Sequence, residues 1–92
     1  MNKYRLDYTT SMKRSLKLMK KRGKDLNKLN DVLHILISGE ALPQKYCDHA
    51  LSGKYSGCRE CHIEPDWLLI YQIKEDILLL IAVATGTHSD LF

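Results

Sequence analysis

The 92-residue chain is poor in conformational punctuation, with 5 glycines and 2 prolines, too few for a collagenous or low-complexity protein. It has 3 cysteines, where a small secreted scaffold would carry a larger and even set. Reduced thiols in a reducing compartment are therefore expected, with no disulfide. A long hydrophobic run is also missing. The stretch Ile77 to Ala84 is less than half of the ~20 residues that a membrane crossing needs, and Met1, Asn2, Lys3 and Tyr4 do not open a signal-peptide apolar segment. These absences predict a cytoplasmic protein with no membrane partner.

What is present reads as an ordinary folded protein, 45% hydrophobic and 27% charged. A chain of this size buries only roughly 60 to 65% of its unfolded surface, so one domain spanning 1–92 is expected. The net charge of +3 hides an uneven distribution. Residues 1–30 hold ten Lys and Arg against two acids, and residues 31–92 hold four against nine. A cationic first third suits RNA, DNA or an acidic protein partner, the bland alternative being a solvated helix face.

Tyr4, Leu6 and Tyr8 alternate with Arg5 and Asp7, the period of a short half-buried strand. From Ser11 the period becomes helical. Met12, Leu16 and Met19 are interleaved with Lys13, Arg14, Lys17, Lys20, Lys21 and Arg22, and Gly23 sits where a helix stops. A second helix is predicted from Asp25, as N-cap, through Leu26, Leu29, Leu33, Leu36 and Ile37 to Gly39. Residues 39–57 show no period and read as a loop. Three strands follow over Cys58 to Glu64, Trp67 to Ile73 and Ile77 to Ala84, with links short enough for an antiparallel meander. The order β-α-α-β-β-β predicts an α+β fold, an antiparallel sheet with a helix pair packed on one face.

Three of the four histidines fall outside the helices: His49 in the loop, His62 in a strand and His88 beyond the last strand; His34, within the second helix, reads as structural. Strand alternation places Glu60, His62 and Glu64 on one face and Arg59, Cys61 and Ile63 on the other, so His62 faces the open side if Ile63 faces the helices. Asp66, after Pro65, returns beside the end of His62's strand, where a carboxylate can orient an imidazole. Converging imidazoles suit proton transfer near neutral pH.

Two rival chemistries share this segment. Cys58, Arg59, Glu60, Cys61 and His62 spell the C-x-x-C-H pattern of covalent haem attachment, which an export signal would normally accompany. Cys58, Cys61 and His62, with Cys47 and His49, could instead bind zinc. Cysteines spaced this way on a continuous strand splay apart, however, and the preferred expectation is no metal ligand.

Taken together, Tyr46 to Gly53, Arg59 to Tyr71 and Thr85 to Phe92 resemble the YafQ branch of the RelE superfamily of bacterial toxins, and the element order agrees over essentially the whole chain. The resemblance implies the toxin of a type II toxin–antitoxin pair, a ribosome-dependent endoribonuclease (mRNA interferase) that needs no metal or other cofactor. It implies active-site residues His49, His62, Asp66 and His88, with Trp67 and Phe92 lining the site. Implied partners are a cognate antitoxin, mRNA and the ribosome, the free toxin being a monomer that forms a hetero-oligomer with its antitoxin. The superfamily also contains non-catalytic gyrase poisons, which lack an imidazole cluster.

The chemistry accounts for these residue types. A ribose 2′-hydroxyl must lose a proton to attack the adjacent phosphate, the leaving 5′ oxygen must gain one, and the added negative charge must be stabilised. His49 or His62 is the candidate base, His88 the acid, and Asp66 positions an imidazole or the nucleophile. Lys45, Lys54, Arg59 and the first helix are candidate phosphate contacts. Phe92 would stack on a base or pack against the core. Many relatives carry an arginine where this sequence has Ala84, so Arg59 or a lysine must supply that charge, or the activity is weakened.

Overall fold

Thr9 and Asp25 begin the two long helices. The computed structural model describes residues 2–92. Helix α1 (Thr10–Lys21) starts where the Thr9 hydroxyl accepts from the Met12 amide at 2.9 Å. Helix α2 (Leu26–Ser38) starts where Asp25 accepts from the Asn27 amide at 3.0 Å. Each cap satisfies an amide that a helix start leaves without a partner, an effect of typically ~1 kcal/mol. Gly39, at φ 84°, ends α2 in the left-handed conformation expected of a C-terminal glycine.

Five strands form one sheet in the order β1-β5-β4-β3-β2. They are β1 (Arg5–Tyr8), β2 (His49–Ala50), β3 (Arg59–Glu64), β4 (Trp67–Lys74) and β5 (Leu79–Gly86). The β3–β4–β5 meander is antiparallel, as expected, while β1 lies parallel to β5. The 39–57 stretch is not wholly irregular. It forms two 3₁₀ turns, Gln44–Tyr46 and Gly53–Tyr55, with β2 between them. Beyond β5 a one-turn helix, α3 (His88–Leu91), carries a capping box between Thr87 and Asp90. No helix among the described residues is long and apolar enough to cross a membrane.

The helix pair covers one sheet face. Met12, Met19, Leu29, Val32, Leu33 and Leu36 pack there against Cys61, Ile63, Trp67, Leu69, Tyr71, Leu80 and Ala82. The opposite face has a smaller cluster of Leu68, Ile70, Ala84 and Leu91, covered by Leu51, Tyr55 and Cys58. With both helices on one side, the far end of β3 is left open on the other, and the polar residues gather there.

One expected site residue belongs instead to the core. Trp67 is fully buried, and its indole N–H donates to the Thr85 hydroxyl at 2.9 Å, which in turn donates to the Leu68 carbonyl at 2.6 Å. The first residue of β4 points toward the helices, so its ring has no surface to offer an RNA base.

Candidate active site

Alternation along β3 sets the first two groups. Cys61 and Ile63 enter the helix-side core, so Glu60 and His62 point to the open face. The short β2 pairs His49 with Glu60, which places the second imidazole beside the first. The link between β3 and β4 presents Asp66, and α3 returns His88 to it from beyond β5. Residues separated by up to 39 positions therefore meet at one end of the sheet. The ring centroids of His49 and His62 lie 6.4 Å apart, and those of His62 and His88 5.9 Å.

Each imidazole has one nitrogen committed to a partner. His49 Nδ1 donates to the Cys47 carbonyl at 2.8 Å, and His62 Nδ1 to the Pro65 carbonyl at 3.3 Å. A carbonyl only accepts, so these bonds assign the proton to Nδ1 and leave Nε2 with a lone pair when the ring is neutral. Cys47 adopts φ 50°, a conformation uncommon outside glycine and asparagine, at the turn that aims this carbonyl. His88 differs in having a carboxylate partner. Asp66 Oδ1 accepts from both the His88 backbone N–H, at 3.0 Å, and Nδ1, at 2.8 Å. These two bonds hold the Asp66 carboxyl below its ordinary range, the backbone bond contributing most.

Glu60 is a site residue that sequence reasoning passed over. It is only 4% exposed, and its Oε1 lies 3.7 Å from His49 Nε2 and 3.5 Å from His62 Nε2. Those separations exceed a good hydrogen bond, so the carboxylate stands beside both imidazoles without being bonded to either. Alternation had already put Glu60 on the face of His62; the missing signal was the two-residue strand that sets His49 opposite it.

Glu64 departs from the expected face. The β3–β4 register shifts between His62 and Glu64, and the carboxylate turns toward the helices, 3.0 Å from Lys24 and 2.8 Å from Lys28. Bonds from Lys28 and then Lys24 hold its carboxyl below the ordinary range. An irregularity of this kind interrupts the two-residue period on which the expectation rested.

The remaining candidates fall into three places. Lys45 lines a cavity of about 610 Å³ with Lys28, Tyr46, Cys47 and His62, a volume typical of small-ligand sites. Phe92 is 64% exposed, its centroid 6.4 Å from His88 and 5.6 Å from Tyr55, so the ring joins the site instead of the core. Lys54 lies farther along, beside Tyr55, in a second cavity floored by Ala84. Arg59 is not brought to the imidazoles. Its guanidinium is held by Asp48 at 3.2 Å, which also accepts from the Tyr71 hydroxyl at 2.6 Å. His34 is exposed on α2.

The cysteine readings lose their geometric basis. Cys61 packs in the helix-side core and Cys58 in the cluster on the opposite face, and burial pushes the Cys61 thiol up to about 12. All three cysteines are free. Among the described residues, the set able to hold an ion is a different one, since Glu60, His62 and His88 each offer a ligand atom within 4.8 Å of the others. The same nitrogens can move protons or bind a cation, and one use competes with the other.

Comparison with known proteins agrees with this architecture. The family model described as bacterial toxin of type II toxin–antitoxin system, YafQ, matches residues 4–92. The mRNA interferase toxin YafQ of Escherichia coli K12 is 41% identical over 88 residues, covering 95% of this chain and 94% of the relative. In the crystal structure of the E. coli DinJ–YafQ toxin–antitoxin complex, the matching chain superposes with a TM-score of 0.89 at 41% identity, covering 98% of each chain. A metal-bound toxin from Helicobacter pylori gives a TM-score of 0.89 at 39% identity, covering 100% of both.

Proposed function

We propose, from the premise that this chain belongs to the YafQ family of type II toxin–antitoxin toxins and is an mRNA interferase like the relatives it matches, that it cuts mRNA by acid–base chemistry carried by His49, His62, Asp66 and His88. One observation supports the residue assignment above the rest: three imidazoles adjoin one another, and one of them is bonded to an aspartate.

The roles follow from the hydrogen bonds. With Nδ1 donating to a carbonyl, neutral His49 or His62 presents an Nε2 lone pair that can take the proton of a ribose 2′-hydroxyl. Asp66 accepts from His88 Nδ1 and fixes that ring, so that in its protonated form the Nε2–H can donate to the leaving 5′ oxygen. The 2′ oxygen bonds to phosphorus, the phosphorus–O5′ bond breaks, and a 2′,3′-cyclic phosphate and a 5′-hydroxyl result. Lys45, at the cavity beside His62, is the cation placed to meet phosphate charge, and exposed Phe92 is the ring available to stack on a base.

The protein partner is an antitoxin. Its natural complement is an acidic, apolar-faced segment laid over the cationic α1. Action on ribosome-bound mRNA in the cytoplasm, and a monomeric state when free of antitoxin, complete this reading. Primer extension on an mRNA in a translation extract tests it. The unaltered protein should introduce discrete stops, and His88→Ala or His62→Ala should cut ~10² to 10⁴ more slowly while remaining folded. Parental rates in both variants would refute the assignment.

A further inference from the structure

On the far side of Phe92 from the imidazoles lies a second cavity, of about 320 Å³, bounded by Ser11, Arg14, Ser15 and Leu18 of α1, by Lys54 and Tyr55, by Ala84 and Thr85 of β5, and by α3. It exists because β1 pairs with β5 only as far as Ala82, so α1 crosses the uncovered end of β5, and because Ala84 offers only a methyl group as floor. Its volume is at the lower end of the ~300 to 1,000 Å³ typical of small-ligand sites.

The charges in its wall are uneven. Asp90 contributes the one carboxylate among the lining residues, and that charge is already neutralised: Arg22 donates to Asp90 Oδ2 at 2.6 Å and to Oδ1 at 2.9 Å, and the Thr87 amide donates to Oδ2 at 2.8 Å. Arg14, on α1, and Lys54, beside Tyr55, have no carboxylate within ion-pair distance among the described residues. Lys54 Nζ lies 5.2 Å from the centroid of the Tyr55 ring. Two cations without an acidic partner among the described residues line this one concave volume, next to a serine-bearing helix face, and that combination suits a tetrahedral oxyanion.

The cavity is contiguous with the reacting groups. Tyr55 lines it and stands edge-on to Phe92, whose ring in turn neighbours His88. Asp90 and Leu91 line it from α3, the same four-residue turn that carries His88. That turn is only roughly 6 Å long at 1.5 Å per residue. A strand cut between the imidazoles and stacked on Phe92 is thereby led to Arg14 and Lys54.

We propose that this cavity is a subsite for a backbone phosphate of the RNA strand flanking the one being cut, held jointly by Arg14 and Lys54; the assignment rests on the mRNA interferase reading. It adds to that reading a direction for the bound strand, from His62 past Phe92 to the β5–α1 crossing. The selectivity it confers is for length and backbone, since a phosphate carries no base identity.

The test uses 2′-O-methyl oligoribonucleotides, which bind without being cut, lengthened one nucleotide at a time and titrated by fluorescence anisotropy at several salt concentrations. One lengthening step should raise affinity sharply for the unaltered protein and steepen the salt slope by about 0.7, the value for one phosphate on a single strand. Arg14→Gln, Lys54→Gln and the double variant should each abolish that step by the same amount, because both cations serve one phosphate. Lys74→Gln, at the end of β4 and outside both cavities, should leave the step in place.

Three results would overturn the subsite: a step that survives in the double variant, a double variant whose slope falls by about 1.4, or no oligonucleotide binding by the unaltered protein. A loss of antitoxin affinity in these variants with the step unchanged would assign the cavity to the protein partner and equally overturn it. Cleavage in the translation extract is scored separately, so failure of the subsite and failure of the nuclease reading give different patterns.

Discussion

Asp66 commits His88 to one ring orientation, which distinguishes this imidazole from the two whose Nδ1 atoms are held by carbonyls. The proposed division into one proton donor and two candidate acceptors rests on that difference in hydrogen-bond partner. The same atoms set a competition with metal ions. Glu60, His62 and His88 can close on a divalent cation, and a zinc ion there would take the lone pairs that acid–base chemistry needs. Added Zn²⁺ should therefore bind, as seen by titration calorimetry, lose its site in His62→Ala, and inhibit cleavage. A chelator selective for transition metals over Mg²⁺ should leave the basal rate unchanged and reverse the inhibition. Stimulation by Zn²⁺ would contradict these roles.

Among the elements, α3 does most to complete the site, and it is short enough to depend on side-chain latches. Asp90 closes the turn through Thr87 and ties it to α1 through Arg22. The approach is so close that a Cβ on Gly86 would lie 2.8 Å from Asp90 Oδ2, which accounts for glycine at the end of β5. The Arg22 guanidinium, and after it the Thr87 amide, holds the Asp90 carboxyl well below the usual carboxylate range. A carboxyl lowered on folding contributes stability that is complete above its unfolded value of ~3.9 and is lost as pH falls through that region toward the folded value. Asp90→Asn should accordingly be less stable than the parent at neutral pH, with the gap shrinking below about pH 4. Urea denaturation at the two pH values checks this, and a gap that widens in acid would contradict it.

The elements also explain what was legible in the sequence. Both long helices could be read from their periods and from Asp25, Gly23 and Gly39, and the facing of His62 from the two-residue period of its strand. Those features are local. The parallel pairing of β1 with β5, the two-residue β2 and the one-turn α3 depend on partners far along the chain and leave little periodic trace. Glu64 leaves its expected face through a register shift, and Trp67, which the resemblance and not strand alternation put at the site, packs into the helix-side core. Asp66, His49 and His88 were legible as residue types, while their meeting is a property of topology.

For the molecule as a whole, charge asymmetry is the dominant feature. The cations of residues 1–30 lie largely on α1 and the turn after it, several of them without an acidic partner among the described residues, while Arg22, Lys24 and Lys28 are drawn to Asp90 and Glu64 near the site. An extended cationic surface next to a cleft makes association with RNA electrostatic, and affinity should fall steeply with salt at a slope of about −0.7 for each phosphate engaged on a single strand. Filter binding of RNA across a salt series measures this, and a flat profile would mean that the surface serves another purpose.

The most direct measurement of the acid–base account concerns the ribose itself. An mRNA with a single 2′-deoxynucleotide at the mapped cut should resist the protein, while its all-ribose counterpart is cut to leave a 2′,3′-cyclic phosphate and a 5′-hydroxyl. Cleavage of the deoxy-substituted message at an undiminished rate, or products bearing a 5′-phosphate, would contradict attack by the neighbouring hydroxyl and with it the roles given to the imidazoles.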